Sequence, residues 1–128
     1  MPYKDTNTKR EYNRQWHLEH KEEVLARKAT RYQERRTAID AYNTRLKRSI
    51  REFIQQQKVG RVCAVCGISD IRVLDFHHID RSTKEGRLSQ AAAQKWSKER
   101  ILREIAKCET LCANCHRILH WEEQYGTP

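Results

Sequence analysis

Residues 107–120 read Lys-Cys-Glu-Thr-Leu-Cys-Ala-Asn-Cys-His-Arg-Ile-Leu-His, and this stretch decides how the second half of the chain must fold. It contains one C-x-x-C pair, Cys112 and Cys115, and a second pair, Cys63 and Cys66, lies upstream. A two-residue spacer lets both thiolates of a pair reach one tetrahedral ion at about 2.3 Å, and two pairs complete a four-cysteine zinc site. The 45 residues between Cys66 and Cys112 exceed a short zinc-ribbon spacing, so further structure is expected between the two knuckles. A redox C-x-x-C would want a thioredoxin-like βαβ context, which the sequence lacks. A disulfide framework would want secretion, and residues 1–10 offer no apolar run for a secretion signal. Structural zinc on Cys63, Cys66, Cys112 and Cys115 is therefore expected. Cys108 reads as a buried free thiol.

Composition points the same way. The chain has 128 residues, of which 38% are hydrophobic and 34% charged. Average domains carry about 45–50% apolar and 25% charged residues, so one large core cannot be filled, and a small domain with a thin core usually needs a metal staple. The longest apolar run, residues 62–66, is far short of the roughly 20 residues of a membrane span. The net charge of +9 is uneven: residues 1–61 hold 16 Lys+Arg against 8 Asp+Glu, and residues 62–128 hold 10 against 9. A basic half of this kind points to a polyanion, with nucleic acid the usual partner.

Punctuation divides the chain into residues 1–60 and 61–128. Between Pro2 and Gly60 nothing breaks a helix outright. Thr8 and Glu11 fit a capping box, and Gly60 suits a helix C′ position. Leu18, Leu25, Tyr32, Ile39, Leu46 and Phe53 fall seven apart. Only one core position per heptad is filled consistently, where a good coiled coil wants two. The stripe suits packing on itself, on the second half, or on another copy as a weak homodimer. As one helix, residues 8–59 would span about 78 Å; a break near Thr30 or Thr37 is equally compatible. His17 and His20 read as exposed helix residues. Within 61–128, residues 72–76 are a strand candidate and 80–94 a polar loop, with a helical turn at 91–93. Residues 97–107 form a helix capped by Ser97, with Ile101, Leu102 and Ile105 on its apolar face. Residues 113–125 form the last helix, carrying Ile118, Leu119 and Trp121. The fold class is α+β.

Four histidines bracket the knuckles. His77 and His78 lie in Leu-Asp-Phe-His-His-Ile-Asp (74–80), and His116 and His120 follow the last cysteine at i, i+4 spacing, which puts both on one helical face. Because Cys115 precedes His116, zinc would pin the start of that helix. A second metal site is expected here, since histidine ligands with open positions suit a catalytic divalent ion such as Mg2+, Mn2+, Ni2+ or Zn2+.

The run LDFHHID followed by KCETLCANCHRILH resembles the HNH endonucleases of phages and bacteria, many of which carry paired C-x-x-C knuckles. The resemblance covers residues 61–121, and KREYNRQW at 9–16 is similar to N-terminal extensions of some such proteins. It implies a small ββα-metal domain after a long basic helical arm, in the cytoplasm of a bacterial or phage-infected cell. It also implies hydrolysis of DNA, expected to be double-stranded, by a metal-dependent endonuclease or nickase. By motif position, His77, His116 and His120 would hold the catalytic metal and His78 would be the general base. Arg117 would hold a phosphate or stand at the surface. One departure matters: where the family has a bracing Asn, this chain has Lys107. Either Asn114 takes over the brace or the brace is missing. The second outcome would favour the alternative function, a zinc-stabilised DNA-binding protein without catalysis.

Overall fold

A computed structural model describes residues 5–128 and contains both helix and sheet. The chain divides into two compact units, residues 1–43 and 44–128, each taken by itself below. No helix among the described residues is long and apolar enough to cross a membrane.

The first unit holds α1 (Thr6–Glu19) and the beginning of α2 (Lys21–Gln56). The cap of α1 is Asp5, whose carboxylate accepts from the backbone N–H of Asn7 and Thr8, so Thr8 lies inside the helix rather than at its boundary. The interruption falls at His20, not at Thr30 or Thr37. There the backbone N–H and the ring Nδ1 both engage the Trp16 carbonyl, at 2.9 and 2.8 Å, and the imidazole stacks on the Trp16 ring. His20 is thus half-buried, whereas His17 is exposed as expected. Thr30 and Thr37 stay helical, with their hydroxyls bonded back to the carbonyls of Ala26 and Gln33. Leu18, Leu25, Tyr32 and Ile39 are all exposed.

The second unit begins at Thr44, well before the boundary expected at residue 61. The cause is packing. Leu46, Ile50, Phe53 and Ile54 of α2 close on a core of Ala91, Ala92, Trp96, Ile101 and Ile105, so the last two members of the seven-residue stripe serve this core. After Gln56 the chain turns through residues 57–60, with Gly60 at φ +78°. Then come β1 (Leu74–His78), two short 3-10 turns (Arg81–Thr83 and Leu88–Gln90), α3 (Lys98–Ile105), β2 (Cys108–Cys112) and α4 (Ala113–Tyr125).

β1 and β2 pair antiparallel, with Leu74 opposite Cys112 and His78 opposite Cys108. β1 sits two residues later than residues 72–76, because its partner is anchored at Cys112. Ser97 caps α3 as expected, accepting from the N–H of Arg100. Its buried face is Ile101, Glu104 and Ile105, and Leu102 faces out. On α4, Leu119 packs inward while Ile118 and Trp121 are exposed. A second, smaller core joins Cys63, Leu74, Leu111 and Cys112.

Candidate metal centres and the cleft beside them

The two knuckles meet where β2 becomes α4. In the first, the N–H of Gly67 donates to the Cys63 carbonyl at 2.9 Å, that of Cys63 to the Ile68 carbonyl at 2.8 Å, and Gly67 takes φ +77°. The N–H of Ala64 reaches the Thr110 carbonyl, which ties this knuckle to β2. In the second, Cys112 is the N-cap of α4 and its sulfur accepts from the N–H of Cys115. The four sulfurs of Cys63, Cys66, Cys112 and Cys115 lie within 4.8 Å of one another. Cys66 and Cys112 are 3.7 Å apart, too far for a disulfide and close to the edge of about 3.8 Å of a tetrahedron with bonds of about 2.3 Å. The backbone N–H of Cys66, with help from those of Cys112 and Val65, holds the Cys63 thiol down at about 6. Cys115, hydrogen-bonded to the Cys112 thiol, is pushed up to about 12. Four thiols this close cannot all ionise without a cation. The cluster could hold a structural metal such as zinc. Cys108 stands outside it, buried, and its thiol donates to the Glu104 carbonyl.

The second constellation is His77, His116 and His120, whose donor nitrogens also lie within 4.8 Å of one another. His77 comes from β1. The other two lie one turn apart on α4, which Cys112 and Cys115 start. The Nε2 atoms of His116 and His120 face each other at 3.0 Å. Carboxylates stand behind both rings: Asp75 Oδ2 is 3.4 Å from His116 Nδ1, and Glu123 Oε2 is 3.1 Å from His120 Nδ1. Arg81 pairs with Glu123 at 2.7 Å and touches the same ring. Asp75 facing His116 Nδ1 favours the proton there, which leaves the His116 Nε2 lone pair for a cation; at His120 Nδ1 the Arg81 guanidinium, a donor only, stands 3.2 Å away beside the Glu123 carboxylate. Burial, then the neighbouring His116 and His120, lowers the pKa of His77, favouring the neutral ring a metal needs.

His78 follows His77 as the last residue of β1, and both rings border the smaller cleft. His78 meets Glu104 of α3, with Nε2 2.6 Å from Oε1. Glu104 is 1% exposed. It also accepts from the N–H of Glu85 at 3.0 Å and from Lys107 Nζ at 3.1 Å. Burial pushes its pKa up, but these three donors outweigh that and the net shift is downward, so Glu104 is a carboxylate. Lys107 gives its other protons to Glu85 Oε1 and the Thr83 carbonyl, both at 2.9 Å. It thereby ties the loop after His78 to α3. Asn114 lies exposed on the first turn of α4 and makes no hydrogen bond to that loop among the described residues, whereas Lys107 bonds to the loop's Thr83 carbonyl. Arg117 is exposed on α4 and has no ion pair among the described residues.

A cleft of about 500 Å³ runs along His78 and His116, and a smaller one of about 170 Å³ reaches His77 and His120. The larger is lined by Arg51, Lys58, Lys84 and Arg87. None of these four has a carboxylate within 4 Å among the described residues, whereas Arg72, Arg81 and Lys107 are all paired.

Sequence reasoning missed Asp75, Arg81, Glu104 and Glu123. Asp75 shares the strand face of His77, and Glu123 stands one turn from His120, so residue spacing contained both signals. Glu104 was detectable as a lone charge three residues after Ile101, inside the apolar stripe of α3. No family model, curated protein or solved structure matches the chain.

Proposed function

We propose that the chain is a metal-dependent DNA endonuclease of the HNH type, with a ββα-metal site built on β1, β2 and α4 and held by structural zinc on Cys63, Cys66, Cys112 and Cys115. The observation that carries this reading is the convergence of His77, His116 and His120 beside His78, with carboxylates behind two of the three rings. A DNA-binding module stabilised by zinc has no use for that arrangement. The donor set suits a divalent ion with open positions, and its neutral imidazoles are borderline ligands that accept several first-row metals.

A divalent ion held there supplies Lewis-acid stabilisation of charge on the scissile phosphate and the leaving oxygen. Asp75 and Glu123 orient the ligand rings, and Arg81 fixes Glu123. Arg51, Lys58, Lys84 and Arg87 hold the phosphates of a bound strand in the larger cleft. His78 takes a proton from water as its oxygen bonds to phosphorus. The bond from phosphorus to the 3′ oxygen breaks, the leaving oxygen is reprotonated from solvent, and the products carry 5′-phosphate and 3′-hydroxyl ends.

Plasmid nicking with Mg2+, Mn2+ or Ni2+, comparing wild type with His78→Ala, tests this. The variant is expected to keep zinc and DNA affinity and to lose cleavage by about 10²–10⁴-fold. Equal cleavage by both proteins removes the role of His78. No cleavage by wild type with any of the metals removes the enzyme and leaves DNA binding.

A further inference from the structure

His78 is held in a way that the hydrolytic reading does not require. The second member of a His-His pair needs one free lone pair, and either ring nitrogen would serve if the other were occupied. Glu104 settles which. Two of its three donors, the N–H of Glu85 and the ammonium of Lys107, have no acceptor capacity. With Glu104 ionised, the third contact must also be a donation, so the proton of neutral His78 sits on Nε2. Nδ1 has no hydrogen-bond partner among the described residues, yet no buried side-chain nitrogen or oxygen is left unsatisfied. Nδ1 therefore has access to solvent, and His78 lines both clefts beside the three-histidine cluster.

We infer that Glu104, clamped by Lys107, is the positioning residue that fixes His78 in its Nε2–H tautomer and leaves Nδ1 as the proton acceptor facing the substrate cleft. The functional half of this rests on the endonuclease reading; the tautomer does not. Glu104 touches no substrate. It acts through the ring it holds, as a buried carboxylate behind an imidazole does in hydrolytic triads. Lys107 has a double part: it neutralises Glu104 where water cannot, and its bond to the Thr83 carbonyl anchors the loop that follows the base. All three of its protons are used inside the protein, so it has none to give to a phosphate.

The test is nitrogen-15 NMR of the histidine rings in the full-length, zinc-loaded protein. It is run at alkaline pH. His78→Gln identifies the His78 signals by their loss. In wild type, Nε2 is expected to carry the proton and Nδ1 to resonate as a bare lone pair. In Glu104→Gln, whose amide can donate as well as accept, and in Lys107→Met, the two tautomers are expected to mix. Glu104→Gln is then expected to lower kcat about 10²-fold with KM unchanged, the cost of a misplaced general base. A wild-type His78 protonated on Nδ1 overturns the inference, and so does a Glu104→Gln protein whose tautomer is unchanged. Should Glu104→Gln fail to fold, the wild-type spectrum and Lys107→Met decide. An Nε2–H tautomer in a protein that cleaves nothing upholds the positioning and removes the endonuclease.

Discussion

Cys63→Ser, or removal of the metal by a chelator, should open one lobe of the second unit and leave the other closed. The smaller core has four buried members, and two of them, Cys63 and Cys112, are candidate ligands. Only Leu74 and Leu111 are fully buried aliphatic side chains there. Their burial is worth about 1.5–3 kcal/mol each. Against that stand residues 62–73, which have neither helix nor strand. Fixing their backbone costs about 1–2 kcal/mol per residue, or about 12–24 kcal/mol for the dozen. The shortfall is of the size that a structural zinc supplies, about 10–16 kcal/mol. The larger core, around Trp96 and Ile101, contains no cysteine and should survive. Hydrogen exchange by mass spectrometry reads this directly. Metal-free protein should lose protection across 62–73 and the first turns of α4, while α3 and the end of α2 keep theirs. Cys108→Ser is the control: its thiol is outside the cluster and pushed up to about 11 by burial, so one zinc should still bind. Unchanged protection at 62–73 in metal-free protein would refute the reasoning, because the few backbone hydrogen bonds and two buried leucines of that lobe would then suffice without the metal.

Arg51, Lys84 and Arg87, replaced together by Ala, should weaken DNA binding across all sequences and flatten the plot of log affinity against log salt by about 0.9 per lost phosphate contact. An unchanged slope would mean that the cleft does not hold phosphates. Gly86→Ala should destabilise the second unit by about 1–3 kcal/mol in a urea titration monitored by Trp fluorescence. A Cβ on Gly86 would stand 2.5 Å from the Trp96 ring, which is buried in the larger core and covered by Arg100 at 3.9 Å, so the indole must shift.

Much of the second unit was legible as pattern. The C-x-x-C spacing placed both knuckles, Ser97 and the apolar run after it placed α3, and the i, i+4 histidines placed two donor groups on one face of α4. Propensity carries such local information well. It carried less at the boundaries. Asp5, not Thr8, caps α1, since either residue offers an acceptor and only the observed backbone path selects one. Helix α2 passes Thr30 and Thr37, whose hydroxyls are accommodated on carbonyls of their own helix, and the interruption comes at His20, where Trp16 offers both a ring and a carbonyl.

By itself the sequence determined the inventory and the local periods: which residues can ligate, which share a helical or strand face, and that the apolar supply is too thin for one core. Tertiary structure decided the rest, because it depends on residues far apart in the chain. The division falls at residue 43 rather than 60 since the end of α2 finds its apolar partners on residues 91–105. Cys63 and Cys66 meet Cys112 and Cys115 across 45 intervening residues, where the first knuckle is hydrogen-bonded to β2. Whether His78 has a partner, and on which nitrogen, depends on Glu104, which lies 26 residues away. In one dimension Lys107 is one of 26 basic residues, with nothing to mark it. In three it is an ammonium with three acceptors, holding the carboxylate that holds the histidine.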